Sequence, residues 1–198
     1  MTGPDGPPLA RSTLDRAAHR RTDRRWLAQA WRQARVLVVD TAGGGRALAV
    51  ADPPRPVLVL LGPEQAPPVD ESARMFLGVE PDGVPVFAVD AALPELPGTR
   101  PLDLREAGHL LDERDAGLLT TALALANWHV RHGYSPVTGA PTTAGEAGWS
   151  RADEAGDRVW PRSGRARRRC SARYARRSAC RSTGSPTPAA SPGRFPAR

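Results

Sequence analysis

The sequence predicts an α+β fold: a small, mostly antiparallel sheet with flanking helices, followed by a short turn-rich segment and a disordered basic tail. Three observations carry that prediction. Four short apolar runs, Val36–Val39, Ala47–Val50, Val57–Leu61 and Val84–Val89, are partly β-branched and bounded by Gly, Pro or Asp. On either side of them lies a stretch with apolar residues at helical spacing. Beyond Arg162 there is no Leu, Ile, Val or Met, so nothing there can build a core against the entropy of ordering the chain.

Residues 1–10 are rich in Gly and Pro and read as disordered. Asp23 can then cap a helix carrying Trp26, Leu27, Ala30, Trp31 and Ala34, an amphipathic pattern that buries tryptophan against a sheet. Gly43, Gly44 and Gly45 stand between two strand-like runs with no Lys-Ser/Thr after them, so they read as a hairpin turn and not as a phosphate loop. Pro53, Pro54 and Pro56 mark another connection. The longest helix starts at Asp112, which can cap it, with Asp115 in the first turn near the unpaired backbone N–H groups. Leu119, Ala122, Leu123, Ala126 and Val130 form its apolar face and Gly133 supplies the stop, giving a rod of roughly 30 Å. Tyr134–Gly139 is a tight knuckle, and Ala147–Trp149 and Val159–Arg162 read as short strands. The chain thus divides into residues 1–10, an α+β domain over 11–132, a small segment over 133–162 and the tail over 163–198.

The net charge of +7 belongs to the tail alone. Residues 163–198 hold ten arginines and no acidic residue, whereas the residues before them hold eighteen arginines and all twenty-one acids. The chain contains neither Lys nor Ile, the bias of a gene very rich in G and C. The Arg, Ala, Ser, Pro and Gly of the tail are what such a gene yields out of frame, so a frameshift near codon 163 is expected. Reading the other two frames of the DNA tests this. Cys170 and Cys180 both fall in the tail and carry little information. No apolar run reaches membrane-spanning length and the N-terminus lacks a signal-peptide core, so a cytoplasmic protein without a membrane partner is expected.

Ala122–His129, the knuckle, Ala147–Trp149 and Trp160-Pro161-Arg162 resemble, in order and spacing, the middle of bacterial NAD+ diphosphatases (NADH pyrophosphatases) of the Nudix superfamily. Leu14-Asp15-Arg16, Arg21-x-Asp23 and Trp26-Leu27 are similar to the opening of actinobacterial-type members. The resemblance covers about residues 9–162. It implies that 11–132 is a vestigial Nudix-like N-terminal domain that assists substrate binding and dimerisation, and that 133–162 is a degenerate zinc ribbon. It also implies a truncated chain, with the catalytic Nudix domain missing. The family reaction converts NAD(H) and water to nicotinamide mononucleotide and AMP. Arg105 matches an arginine that in the family reaches the substrate, and Trp160 occupies the aromatic position of a Tyr-Pro-Arg motif that contacts it. The residues alone leave alternatives open: Arg105 as a surface cation balancing Asp103, Glu106 or Glu113, and Trp160 packing with Trp149 as the core of the ribbon.

A zinc ribbon closes a tetrahedron with four thiolates. Here Ser135 and Thr138 stand where the first cysteine pair would be, and residues 152–157 offer Asp153, Glu154 and Asp157 but no cysteine. His129 and His132 are three apart without a convergent thiol or carboxylate. The Nudix catalytic box needs several glutamates on one helical face to hold a divalent metal. Its only Arg-Glu pair here, Arg105-Glu106, is followed by His109 and Leu110 in place of glutamates. No catalytic residue is assigned, and no cofactor is expected in this chain, although the family uses Mg2+ or Mn2+ and often structural Zn2+. The expected function is that of an N-terminal part of an NAD+ diphosphatase, inactive alone, with weak NAD(H) binding and homodimer formation. The alternative is an Arg-tailed protein that binds nucleic acid nonspecifically, or a dimerisation partner of an intact paralogue.

Overall fold

Arg35–Asp40 forms strand β1, and its alternating side chains serve two cores at once. Val36 and Val38 point to one face of the sheet, and Leu37 and Val39 to the other. The computed structural model describes residues 12–50 and 55–161, all within one compact unit. The N-terminal ten residues, Pro53, Pro54, Arg162 and the basic tail with its two cysteines lie outside the described residues.

Around β1 the sheet is mostly antiparallel, as the sequence predicts, with one parallel pair at its centre. β1 pairs antiparallel with β2 (Arg46–Val50) across the glycine hairpin, and parallel with β6 (Pro85–Asp90). Strand β5 (Met75–Val79) lies antiparallel to β6, and β7 (Thr99–Asp103) antiparallel to β2. The run 57–61 is wedged between two neighbours: β3 (Val57–Leu58) continues the ladder of β2, whereas β4 (Leu60–Leu61) pairs with β1.

Two strands of this sheet are absent from the sequence reading. β7 alternates poorly because Thr99, Arg100 and Pro101 carry no apolar signal, and Pro101 has no N–H to donate. β5 is interrupted by a bulge at Gly78, where the chain near Asp15 crosses. Backbone N–H groups of Asp15 and Val79 each donate to the other's carbonyl, and a Cβ on Gly78 would stand 2.5 Å from the Asp15 carbonyl oxygen. Glycine is required there by close backbone approach.

Helices cover both faces. α1 (Arg24–Trp31) is capped by Asp23, whose carboxylate accepts from the Trp26 N–H at 3.0 Å. Its Trp26 and Trp31 meet Phe76 and Phe87 edge-on, with ring centroids 5.5 and 5.3 Å apart. Such pairs add about 0.5–1.5 kcal/mol each to area burial. α2 (Leu104–Ala107) is a single turn capped by Asp103. α3 (Glu113–Arg131) is capped by Asp112 as predicted and buries Leu119, Ala122, Leu123 and Ala126 against the opposite face. The last turn departs from the prediction: Val130 is 66 % exposed, because the helix there meets the turn-rich segment through His129. The helix stops where read: His132 is the cap, its N–H bonding to the carbonyls of Trp128 and His129, and Gly133 follows it without a positive φ.

Residues 143–159 form a second, three-stranded antiparallel sheet of β8 (Thr143–Gly145), β9 (Ser150–Ala152) and β10 (Arg158–Val159). Ala147–Trp149, read above as a strand, instead belongs to the turn joining β8 to β9. Glu146, Ala147 and Gly148 all have positive φ there. Gly148 allows this turn to lie against β5, since a Cβ on it would meet Met75 Cγ at 2.8 Å.

Candidate functional site

The knuckle after α3 is closed by hydrogen bonds. Ser135 is buried, and its Oγ accepts from the N–H groups of Val137 and Thr138. The Thr138 hydroxyl donates to Asp153 Oδ2 at 2.6 Å, and Asp153 Oδ1 accepts from the Asp157 N–H at 2.9 Å. The Thr138 hydroxyl, then the Asp157 N–H and Ser135, hold the Asp153 carboxyl below its usual range. Two neutral, committed hydroxyls beside one carboxylate do not fit a structural zinc ion, which is held by four thiolate, imidazole or carboxylate ligands. Among the described residues no group of three His, Cys, Asp or Glu converges to hold a metal.

The small sheet is locked onto the main domain by a polar hinge at the end of α3. Arg151 donates to Thr142 Oγ1 and to the Thr142 carbonyl, at 2.7 and 2.6 Å, and its Nη1 lies 2.9 Å from His129 Nδ1. A guanidinium can only donate, so His129 Nδ1 accepts and its Nε2–H donates to the Gly148 carbonyl at 2.8 Å. Burial, then the charge of Arg151, pushes the His129 pKa down. Trp149 completes the joint: its indole N–H donates to the Phe76 carbonyl at 2.7 Å, and its ring packs on the core beneath α3.

Of the two residues singled out for substrate contact, Arg105 lies exposed on α2. Asp103 is committed to capping α2 through the Glu106 N–H, and among the described residues no ion pair engages Arg105. Trp160 follows β10 and is 53 % exposed, with its indole N–H 3.3 Å from Glu146 Oε2. It therefore contributes no core to the small sheet, contrary to the packing alternative. No hydrogen bond or ring contact joins Arg105 to Trp160 among the described residues.

Sequence reasoning missed a cleft of about 600 Å3 between α1, the turn Glu71–Ala73 and the β8–β9 sheet. Arg21, Arg24, Arg74 and Arg158 line it. The Arg21 guanidinium lies over the Trp149 ring at 3.7 Å and that of Arg74 over Trp31 at 4.2 Å. These arginines come from separate parts of the chain, and the only sequence signal was the basic run around Arg20–Arg25.

Residues 25–128 match the model of the NADH pyrophosphatase-like rudimentary NUDIX domain, a span that includes α1, the whole large sheet and most of α3. This chain belongs to that NUDIX-like family. It is similar to the NAD-capped RNA hydrolase NudC of Mycobacterium tuberculosis (strain ATCC 25618 / H37Rv) and of Mycobacterium bovis (strain BCG / Pasteur 1173P2), with 36 % identity over 160 residues in each case. The match takes in 73 % of this chain and 46 % of each relative, so the chain spans about half the length of the curated relatives it matches. The NUDIX-like domain here has the two-faced sheet and its helices. Nudix proteins generally use a divalent metal, and α2, where the only Arg-Glu pair of the sequence lies, does not fit one: it is four residues long and carries one carboxylate, Glu106. Among the described residues no helix is long and apolar enough to cross a membrane.

Proposed function

We propose that this chain is the non-catalytic half of an NAD-related Nudix hydrolase, able to hold an NAD(H)-type ligand weakly through Arg105 and Trp160 but not to cleave it alone. The observation that carries this reading is the match of residues 25–128 to the rudimentary NUDIX domain in a sequence without the carboxylate box. Exposed Arg105 offers the paired donors and permanent charge suited to a pyrophosphate, and exposed Trp160 offers a face for a base. Binding and catalysis have separate physical sources. An arginine and an indole can hold a dinucleotide in its ground state, whereas activating water at phosphorus needs a metal held by carboxylates. The relatives' name extends the ligand class to an NAD-capped RNA end.

The test is to incubate the purified 198-residue chain with NADH and Mg2+. AMP is expected to stay at the level of a heat-killed control, and weak NADH binding is expected to be lost in Arg105→Ala. Mg2+-dependent release of AMP by the pure chain overturns the inactive reading. A second reading rests on the ten arginines of residues 163–198, which would attract nucleic acid nonspecifically. Its mark is affinity that falls steeply with salt and is indifferent to sequence.

A further inference from the structure

We propose that the arginine-lined cleft between α1, the turn Glu71–Ala73 and the β8–β9 sheet is a binding site for a phosphate monoester, held by Arg21, Arg24 and Arg74. This site does not include Arg105, adjoins Trp160 only through Glu146, and does not depend on the reading given for those two residues. The first argument is charge. Four arginines line the cleft against two carboxylates, Glu71 and Glu146, and Arg158 is already paired with Glu146 at 3.1 Å. The surplus of positive charge matches an anion carrying about two negative charges, as a phosphate monoester does near neutral pH.

The second argument is orientation. Arg21 and Arg74 lie over Trp149 and Trp31, so their planes are fixed by the indoles while their edges remain to donate. Nε of each is buried and, among the described residues, has no hydrogen-bond partner. Buried donors without acceptors are costly, more so on a charged group. Burial, followed by the like charge of Arg16, lowers the pKa of Arg21 against the opposing charge of Glu146, so a bound anion adds to a stabilisation that Glu146 only partly supplies. Phosphate suits this arrangement because its several oxygens can accept from more than one guanidinium at once.

The third argument is backbone strain at the cleft wall. Glu146 and Ala147, both non-glycine, have φ of 50°. The left-handed region is unfavourable for L-residues, and such outliers cluster at ligand sites. Here the turn carries Glu146 to Arg158, and among the described residues no salt bridge joins Arg21 or Arg74 to a carboxylate. A volume of about 600 Å3 admits a mononucleotide or the terminal nucleotide of a strand.

The phosphate could be carried by a free nucleotide or by the 5′ end of an RNA strand, and the test separates the two. AMP, adenosine, and a short RNA with 5′-phosphate or 5′-hydroxyl are titrated into the full chain, with the indole N–H resonances of Trp149 and Trp31 followed by NMR. Saturable shifts of both resonances with AMP but not adenosine support the free nucleotide. Tighter binding of the 5′-phosphorylated RNA than of its 5′-hydroxyl counterpart, with the same two resonances moving, supports the strand end. In either case Arg74→Gln is expected to weaken binding about ten-fold or more, and Arg100→Gln, at an exposed β7 position outside the cleft, to leave it unchanged. Arg24→Gln, at an exposed position, gives the same reading if Arg74→Gln loses its fold. Shifts confined to residues 163–198, equal binding of AMP and adenosine together with equal binding of the two RNAs, or affinity unaffected by a folded Arg74 or Arg24 variant overturns the proposal.

Discussion

Replacing Asp115 tests the joint between α3 and the wedged run 57–61. This carboxylate is 2 % exposed; Oδ2 accepts from the Leu58 N–H at 2.8 Å and Oδ1 from Arg114 Nη1 at 2.6 Å. Arg114 also holds Glu80, which in turn pairs with Arg35 at the start of β1. In Asp115→Ala the Leu58 N–H loses its acceptor in a dry site, at about 1–3 kcal/mol, and a charge-assisted bond worth about 1.5–3 kcal/mol disappears. Relief from burying a carboxylate offsets part of this, so the net loss is expected near 3 kcal/mol. Asp115→Asn keeps a carbonyl oxygen for Leu58, and the gap between the two variants, about 1–3 kcal/mol, measures that single N–H. Urea unfolding followed by tryptophan fluorescence reads both as shifts in midpoint at constant slope. Equal losses in the two variants, or a loss under about 1 kcal/mol in Asp115→Ala, refute the reasoning. The pH dependence has a definite sign. Burial, ahead of the opposing Leu58 N–H and Arg114, raises the Asp115 pKa. Its contribution is therefore fully present below the unfolded value of about 3.9 and is lost as pH rises through the folded pKa. Asp115→Asn removes that component.

The two tryptophans of the small sheet are expected to separate sharply in the same unfolding assay. Trp149→Ala should cost about 3 kcal/mol, because it removes core packing and the bond to Phe76, whereas Trp160→Ala should stay within about 0.5 kcal/mol. Equal effects would show that the small sheet is not docked as described. Lowering the pH should loosen that docking through His129, whose folded pKa is depressed. Its contribution is intact above the unfolded value of about 6.5 and is lost as pH falls through the folded pKa. A melting-temperature profile between pH 5 and 8 should be flatter in His129→Gln than in the parent; identical profiles exclude His129 as the group responsible.

By itself the sequence determined what depends on neighbours a few residues away. Asp23 and Asp112 cap their helices as read, because a cap is an interaction with a backbone N–H three residues on. The β1–β2 hairpin at Gly43–Gly45 was legible for the same reason. So was the resemblance that proved to mark the family. The sequence could not place Val130 in solvent, split the run 57–61 between two partners, or reveal β7, since each outcome depends on which distant strand or turn lies alongside. Nor could it tell Trp149 from Trp160. Both stand in Gly- and Pro-containing stretches, but only Trp149 finds a carbonyl, that of Phe76, 73 residues away in sequence. The cationic cleft is the plainest case. Its arginines became one site only when the tertiary structure brought α1, the 71–73 turn and the small sheet together, because charge adds over space and not along the chain.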